Sequence, residues 1–161
     1  MAQDYRVTIK DWIRQATSAE DASEFEQTGL AVLSVTPFAE AIILAHPPEN
    51  SEVFVLAVQI DALDANAHPT LLRNVLQLNC EPDLLPGAFA LEPQEQIVLY
   101  RWTVDLPGMD DTTFQNVLGN FAVMADRALE AYRNALPIEA DPAVAVAVAE
   151  PAGLPHGAMR A

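Results

Sequence analysis

A chain of 161 residues that is 51% hydrophobic and 19% charged is long enough for one domain with a real core and too apolar for a disordered segment. Its 23 acidic residues against 8 Lys and Arg leave a net charge of −15, which argues against phosphate backbones and anionic lipid as partners. The single cysteine, Cys80, forms no internal disulfide, and no apolar run approaches the roughly 20 residues that cross a bilayer. The N-terminal stretch is amphipathic and unlike a secretory signal, so the expected location is the cytoplasm.

The first element is a helix over 4–18, with Ile9, Trp12, Ile13 and Ala16 on one stripe. Residues 19–29 are acidic and end in Gly29, which predicts a loop with at most some helix at its start. Three short runs follow, 30–36, 41–46 and 52–60, separated by proline-rich punctuation. They predict an antiparallel meander. The third run is apolar on both alternating faces, the pattern of a central strand covered on both sides. After the polar connector 61–69, the run "TLLRNVLQLNC" (70–80) predicts a short helix. Its Leu71, Leu72, Val75, Leu76 and Leu78 span an arc of about 160°, wide enough to suggest two neighbours. Asn79 tolerates the left-handed conformation that ends helices, and Pro82 prevents continuation.

Gly87 opens "AFAL" (88–91), and "IVLYRWTV" (97–104) places Val98, Tyr100, Trp102 and Val104 on one face. These two runs predict a hairpin. Asp110 or Asp111 caps a final helix over about 112–136, whose stripe includes Phe114, Leu118, Phe121, Ala125 and Tyr132. The fold class is therefore α+β: helix, three-strand antiparallel meander, helix, two-strand hairpin, long C-terminal helix. Residues 1–136 make one domain. Residues 137–161, rich in alanine and proline, predict a flexible tail, with docking of "AVAVAVA" as an edge strand as the alternative.

No catalytic signature is present. His46, His68 and His156 lack ligand spacing and read as surface or loop residues. Cys80 sits at a helix C-terminus, where the dipole disfavours a thiolate. "DALDAN" (61–66) lacks the calcium-loop spacing and reads as a solvated loop. The expectation is no catalytic residue, no metal and no cofactor. Trp102 reads as core, whereas Trp12 suits core and interface equally.

The element order and the stretches "LLRNVLQLNC", Gly87-"AFAL", "IVLYRWTV", Leu106-Pro107 and "F..VL..F...A" from Phe114 resemble the class I type III secretion chaperones of the Tir-chaperone (CesT-like) family, over about residues 5–136. The resemblance implies a secretion-chaperone-like homodimer. Such a dimer binds the N-terminal segment of secreted effectors, keeps it non-globular and hands it to the secretion ATPase. It implies dimer contacts from Leu72, Val75, Leu76, Tyr100 and Trp102. Effector grooves would come from Ile9, Trp12, Ile13, Leu33, Val35, Ile42 and Leu44. The alanine-proline tail and "HPPEN" depart from the family pattern. A YbjN-like regulatory or scaffold protein, binding a folded cytoplasmic partner, is the alternative. A small enzyme whose residues meet only in space is the third reading.

Overall fold

The computed structural model describes residues 5–17, 22–47, 51–63 and 69–136. The expected tail and its edge-strand alternative lie outside these residues, as do His68, His156, Asp64 and Asn66. Helix α1 (Tyr5–Ala16) is followed by α2 (Ala22–Thr28), β1 (Leu30–Leu33), β2 (Ile42–Ala45) and β3 (Val53–Ala62). Then come α3 (Pro69–Leu78), a 3-10 turn at Pro82–Leu84, β4 (Ala88–Glu92), β5 (Ile97–Asp105) and α4 (Asp111–Ala135). This is the α+β architecture expected from the sequence, with one addition. Much of the stretch read as an acidic loop is helix α2, anchored by the fully buried Phe25. Seven residues carry too few positions for a helical period to show.

The strands form one antiparallel sheet in the order β1-β2-β3-β5-β4. The β3–β5 ladder runs from Val53↔Asp105 to Ala62↔Ile97 and slips between Gln59 and Asp61. The extra residue, Ile60, reverses the alternation beyond it. Asp61 consequently pairs with Val98, in the row that faces the helices. There it accepts a hydrogen bond of 2.8 Å from the Tyr132 hydroxyl of α4.

The core lies between one face of the sheet and the helices. Phe54, Leu56 and Val58 of β3 are buried there with Ile42 and Leu44 of β2. Two aromatic chains tie the layers together. Trp12 of α1 meets Phe114 of α4 at 5.5 Å, and Phe114 meets Phe54 at 5.8 Å. Phe89 of β4 meets Tyr100 of β5 edge-on at 5.5 Å, and Tyr100 stacks on Phe121 of α4 at 6.0 Å. Asp110 is the N-cap of α4. Its side chain accepts from the Thr113 N–H at 2.8 Å, and hydrogen bonding from the Thr113 side chain first, and this N–H second, lowers its carboxyl pKa. No helix among the described residues is long and apolar enough to cross a membrane.

Among the described residues, no helix covers the other face of the sheet. The expectation that β3 is covered on both sides is corrected here: Val53 and Val55 are only half-buried. Ala57 is buried on that face because it is small and sits between Ile43 and Arg101 of the flanking strands.

Candidate partner-binding surfaces

The described residues contain no group of three or more His, Cys, Asp or Glu able to hold a metal ion. Cys80 is exposed. His46, read from the sequence as a surface residue, is buried at the end of β2. Its backbone N–H donates to the Gly29 carbonyl at 2.7 Å, and its ring Nε2 lies 3.0 Å from the Ser51 carbonyl. Gly29 has φ +72°, and a Cβ there would stand 2.6 Å from the His46 carbonyl oxygen. Close backbone approach, and not chemistry, explains this glycine–histidine pair.

The residues expected to form an effector groove are mostly core. Ile9, Ile13, Leu33, Ile42 and Leu44 have no accessible surface, Trp12 is buried against Phe114, and Val35 packs half-buried on the same cluster. A side chain without accessible surface has nothing to offer a bound chain. The physical reason is parity: these residues occupy the stripe and the alternate strand positions that the helices and sheet close on.

The five residues expected at a dimer interface separate into two groups. Leu72, Val75 and Leu76 of α3 line a narrow groove against Phe89, Leu91 and Val98, with a volume of about 200 Å³. Leu76 is 66% exposed and Leu91 42%. The wide apolar arc of α3 is thereby explained. Leu71 and Val75 face the protomer's own core, whereas Leu76 stands over the groove. Tyr100 and Trp102 do not line it. Tyr100 is fully buried, and Trp102 is half-buried on the helix-facing side of β5, opposite Leu56.

Tyr100 is held by its neighbours. Its hydroxyl donates to the Leu84 carbonyl at 2.5 Å, and burial pushes its pKa up to about 12. An unfolded chain titrates near ~10. The folded chain therefore keeps this proton more tightly. Its contribution is complete below the unfolded value and is lost as pH rises through the folded one, with a loss on the order of 1 kcal/mol by pH 11. Burial, with help from Asp61, shifts Tyr132 in the same direction. Urea midpoints at pH 8 and pH 11 should show the loss in the native chain and a smaller loss in Tyr100→Phe.

Both edges of the sheet are partly closed by side chains. On β4, the Asn79 side chain donates to the Phe89 carbonyl at 3.2 Å and accepts from the Phe89 N–H at 2.6 Å. Asn79 was expected to end α3 by adopting a left-handed conformation. Among the described non-glycine residues only Gln96 has positive φ, so Asn79 acts through its amide instead. That amide imitates one rung of a neighbouring strand, and an edge blunted in this way resists pairing with another chain. On β1, the Thr28 hydroxyl accepts from the Leu30 N–H at 3.1 Å and lies 3.3 Å from the Leu30 carbonyl. Alternation along each ladder turns the groups of Val32 and Leu91 outward as well, and no hydrogen bond to them comes from a described side chain. Asn79→Ala should cost about 1–3 kcal/mol for its two bonds, read as a lower urea midpoint. Asn79→Asp should not restore it, because a carboxylate cannot donate to the Phe89 carbonyl.

Beside the β1 edge lies another apolar surface. Leu30 and Val32 are 54% and 55% exposed, and they pair with half-buried Ala45 and Ile43. Val55 of β3 continues the row next to Ala45. These residues are missed when the strands are read singly. Their signal is apolar character at alternate positions of strands whose other positions already supply the core. A second groove of about 390 Å³ runs between Leu30 and Val32 and the acidic helix α2, where Glu24 lies.

The sequence matches the family YbjN, described as "Putative bacterial sensory transduction regulator", over residues 8–133. No curated protein matches the chain. Among solved structures, a chain of the ExsC–ExsE complex is 16% identical with TM-score 0.59, covering 86% of this chain and 100% of that one. A chain of the heterodimeric ExoU–SpcU complex from the type III secretion system of Pseudomonas aeruginosa is 11% identical with TM-score 0.54, covering 76% and 96%. A chain of the HopA1–SchA chaperone–effector complex is 13% identical with TM-score 0.48, covering 81% and 91%. At these identities the likeness is one of fold. The matched family is the alternative drawn from the sequence, and the fold likeness includes a chain of one complex that is named as part of a type III secretion system.

Proposed function

The chain belongs to the YbjN family, and on that premise we propose that it is a regulator that works by binding a partner polypeptide, with no turnover of its own. One observation carries this reading: the face of the sheet that no described helix covers, where Leu30, Val32, Ile43 and Val55 form an apolar row beside an edge that no described strand pairs with. An extended segment adding to β1 would find the free N–H and C=O of Val32 and would lay alternate side chains on that row. The net charge of −15 favours a segment with basic flanks. On this reading the protein acts in the cytoplasm.

A capture experiment tests it. The full chain and its Val32→Asp variant are used to recover partners from cells, followed by limited proteolysis and mass spectrometry. The expected result is a short protected segment held by the native chain and lost from the variant. Equal retention by both would remove the open face as the site.

A second reading is a type III secretion chaperone, favoured by the fold shared with chains of the ExsC–ExsE and ExoU–SpcU complexes. On this reading the bound segment is the N-terminal part of a secreted effector, which is passed to the secretion ATPase. The protomers would join through the groove between α3 and β4. A protected fragment from the start of a secreted protein decides for this reading. A folded, full-length partner decides for the first.

A further inference from the structure

We propose that the segment added to β1 is selected by two basic side chains of opposite parity, one set against Glu40 on the open face of the sheet and one turned toward Glu24 of α2. This rests on the reading that an extended segment pairs with β1, and it names the chemistry that chooses the segment.

Val32 is shared by two hollows. The first, of about 550 Å³, lies on the face that no described helix covers, and Val32, Ile43, Gln59, Ile60 and Glu40 help to line it. Strand length explains it. The β2–β3 ladder runs only from Ile42↔Val58 to Ala45↔Val55, whereas β3 continues to Ala62. The bulge at Ile60 bends that overhang and leaves a recess past the start of β2. The second hollow is the groove of about 390 Å³ between β1 and α2, with Glu24 and Thr28 in its lining. Both volumes fall within the roughly 300–1,000 Å³ of ligand clefts.

A strand added to β1 would face both hollows, one with each parity. Leu30 and Val32 are exposed, while Ala31 and Leu33 between and beyond them are buried against the helices. An added strand alternates in the same way. Its residues beside Val32 lie toward the first hollow, and the intervening ones face α2.

Charge decides which side chain suits each place. Glu24 and Glu40 are both exposed. Among the described residues the ion pairs are Lys10–Glu26 and Arg14–Asp11, so no described base neutralises Glu24 or Glu40. Asp61, which also lines the first hollow, already accepts from Tyr132. Arg101 of β5 shares the open face but stands two strands beyond Ile43, where it donates to the Thr103 hydroxyl at 3.5 Å. A lysine or arginine of the partner satisfies both parts of the first hollow. Its methylene stem covers Val32, Ile43 and Ile60, and its head meets the Glu40 carboxylate. A second base, an odd number of residues away, meets Glu24. An acidic segment would be repelled at both ends and by the net charge of −15.

Panning a displayed library of random peptides against the full chain tests this, with Val32→Asp as the counter-selection. Peptides that need Val32 should carry two Lys or Arg an odd number of residues apart. Glu24→Gln and Glu40→Gln should each weaken these peptides by roughly threefold, with a larger effect at low salt than at high. Both variants should keep the native urea midpoint, because both side chains are exposed. A selected peptide whose open-face base is changed to glutamate should bind Glu40→Lys more tightly than it binds the native chain. Val32-dependent peptides that lack the pattern, or that neither glutamine variant weakens, would overturn the charge rule and leave the β1 reading standing. Recovery of no peptide that needs Val32 would remove the reading and this inference together.

Discussion

Leu44→Asp should unfold the chain, while Val32→Asp should leave it folded and strip it of its partner. The two residues lie on adjacent strands, and their neighbours Ala31 and Ile43 pair with them across the same ladder. They point to opposite faces. Leu44 has no accessible surface and sits in the cluster with Ile13, Leu56 and Phe54. A carboxylate there loses its hydration and gains no partner, at a cost of several kcal/mol. That is comparable with the whole stability of a domain, about 5–15 kcal/mol. Ile13→Asp should fail in the same way. Val32, more than half exposed, should accept the change within about 1 kcal/mol, the span of strand propensity. Its binding defect should still be about tenfold or more, because the charge would be buried by the partner. Circular dichroism on heating reads the first effect, and titration of the captured partner reads the second. A folded Leu44→Asp that lost only its partner would restore the groove inferred from the sequence.

Gly87→Ala should be the costliest small change outside the helices. A Cβ at this position would stand 2.2 Å from Cζ and from the hydroxyl oxygen of Tyr100. The Tyr100 ring has no free direction in which to retreat. Phe121 stacks on it, Phe89 meets its edge, and the hydroxyl is committed to the Leu84 carbonyl. Overpacking of this kind together with the lost hydrogen bond is worth roughly 2–4 kcal/mol. Chemical denaturation should show the drop. Tyr100→Phe in the same chain removes the hydroxyl half of the clash, so the costs of the two changes should sum to more than the cost of the double variant. Simple additivity would mean that the backbone at Gly87 shifts and the ring does not.

Much of the architecture was legible from local pattern alone. The stripe of α1, the run from Phe114 to Tyr132 on α4, the cap at Asp110 and the β4–β5 hairpin all follow from spacing. Each element must bury one face, and that demand imprints its period on the sequence. The wide arc of α3 even announced two surroundings, and Leu76 stands over the second. Helix α2 was missed because one buried phenylalanine in seven residues makes no period.

What the sequence by itself determined is which residues are apolar enough to share a core and which elements they form. It did not determine which face of the sheet the helices would close. In β1 the residues Leu30, Ala31, Val32 and Leu33 are all apolar, so alternation carries no contrast. Ala31 and Leu33 are inside and Leu30 and Val32 outside because α2 and the β1–β2 register place them so. A shift of one residue would exchange the two sets. For the same reason Ile42 and Leu44, expected at a surface, are core, and Tyr100, expected at an interface, is locked beneath Gly87. Exposure is a property of the packed layers, fixed by contacts between elements far apart in the chain, and only the tertiary structure decides it.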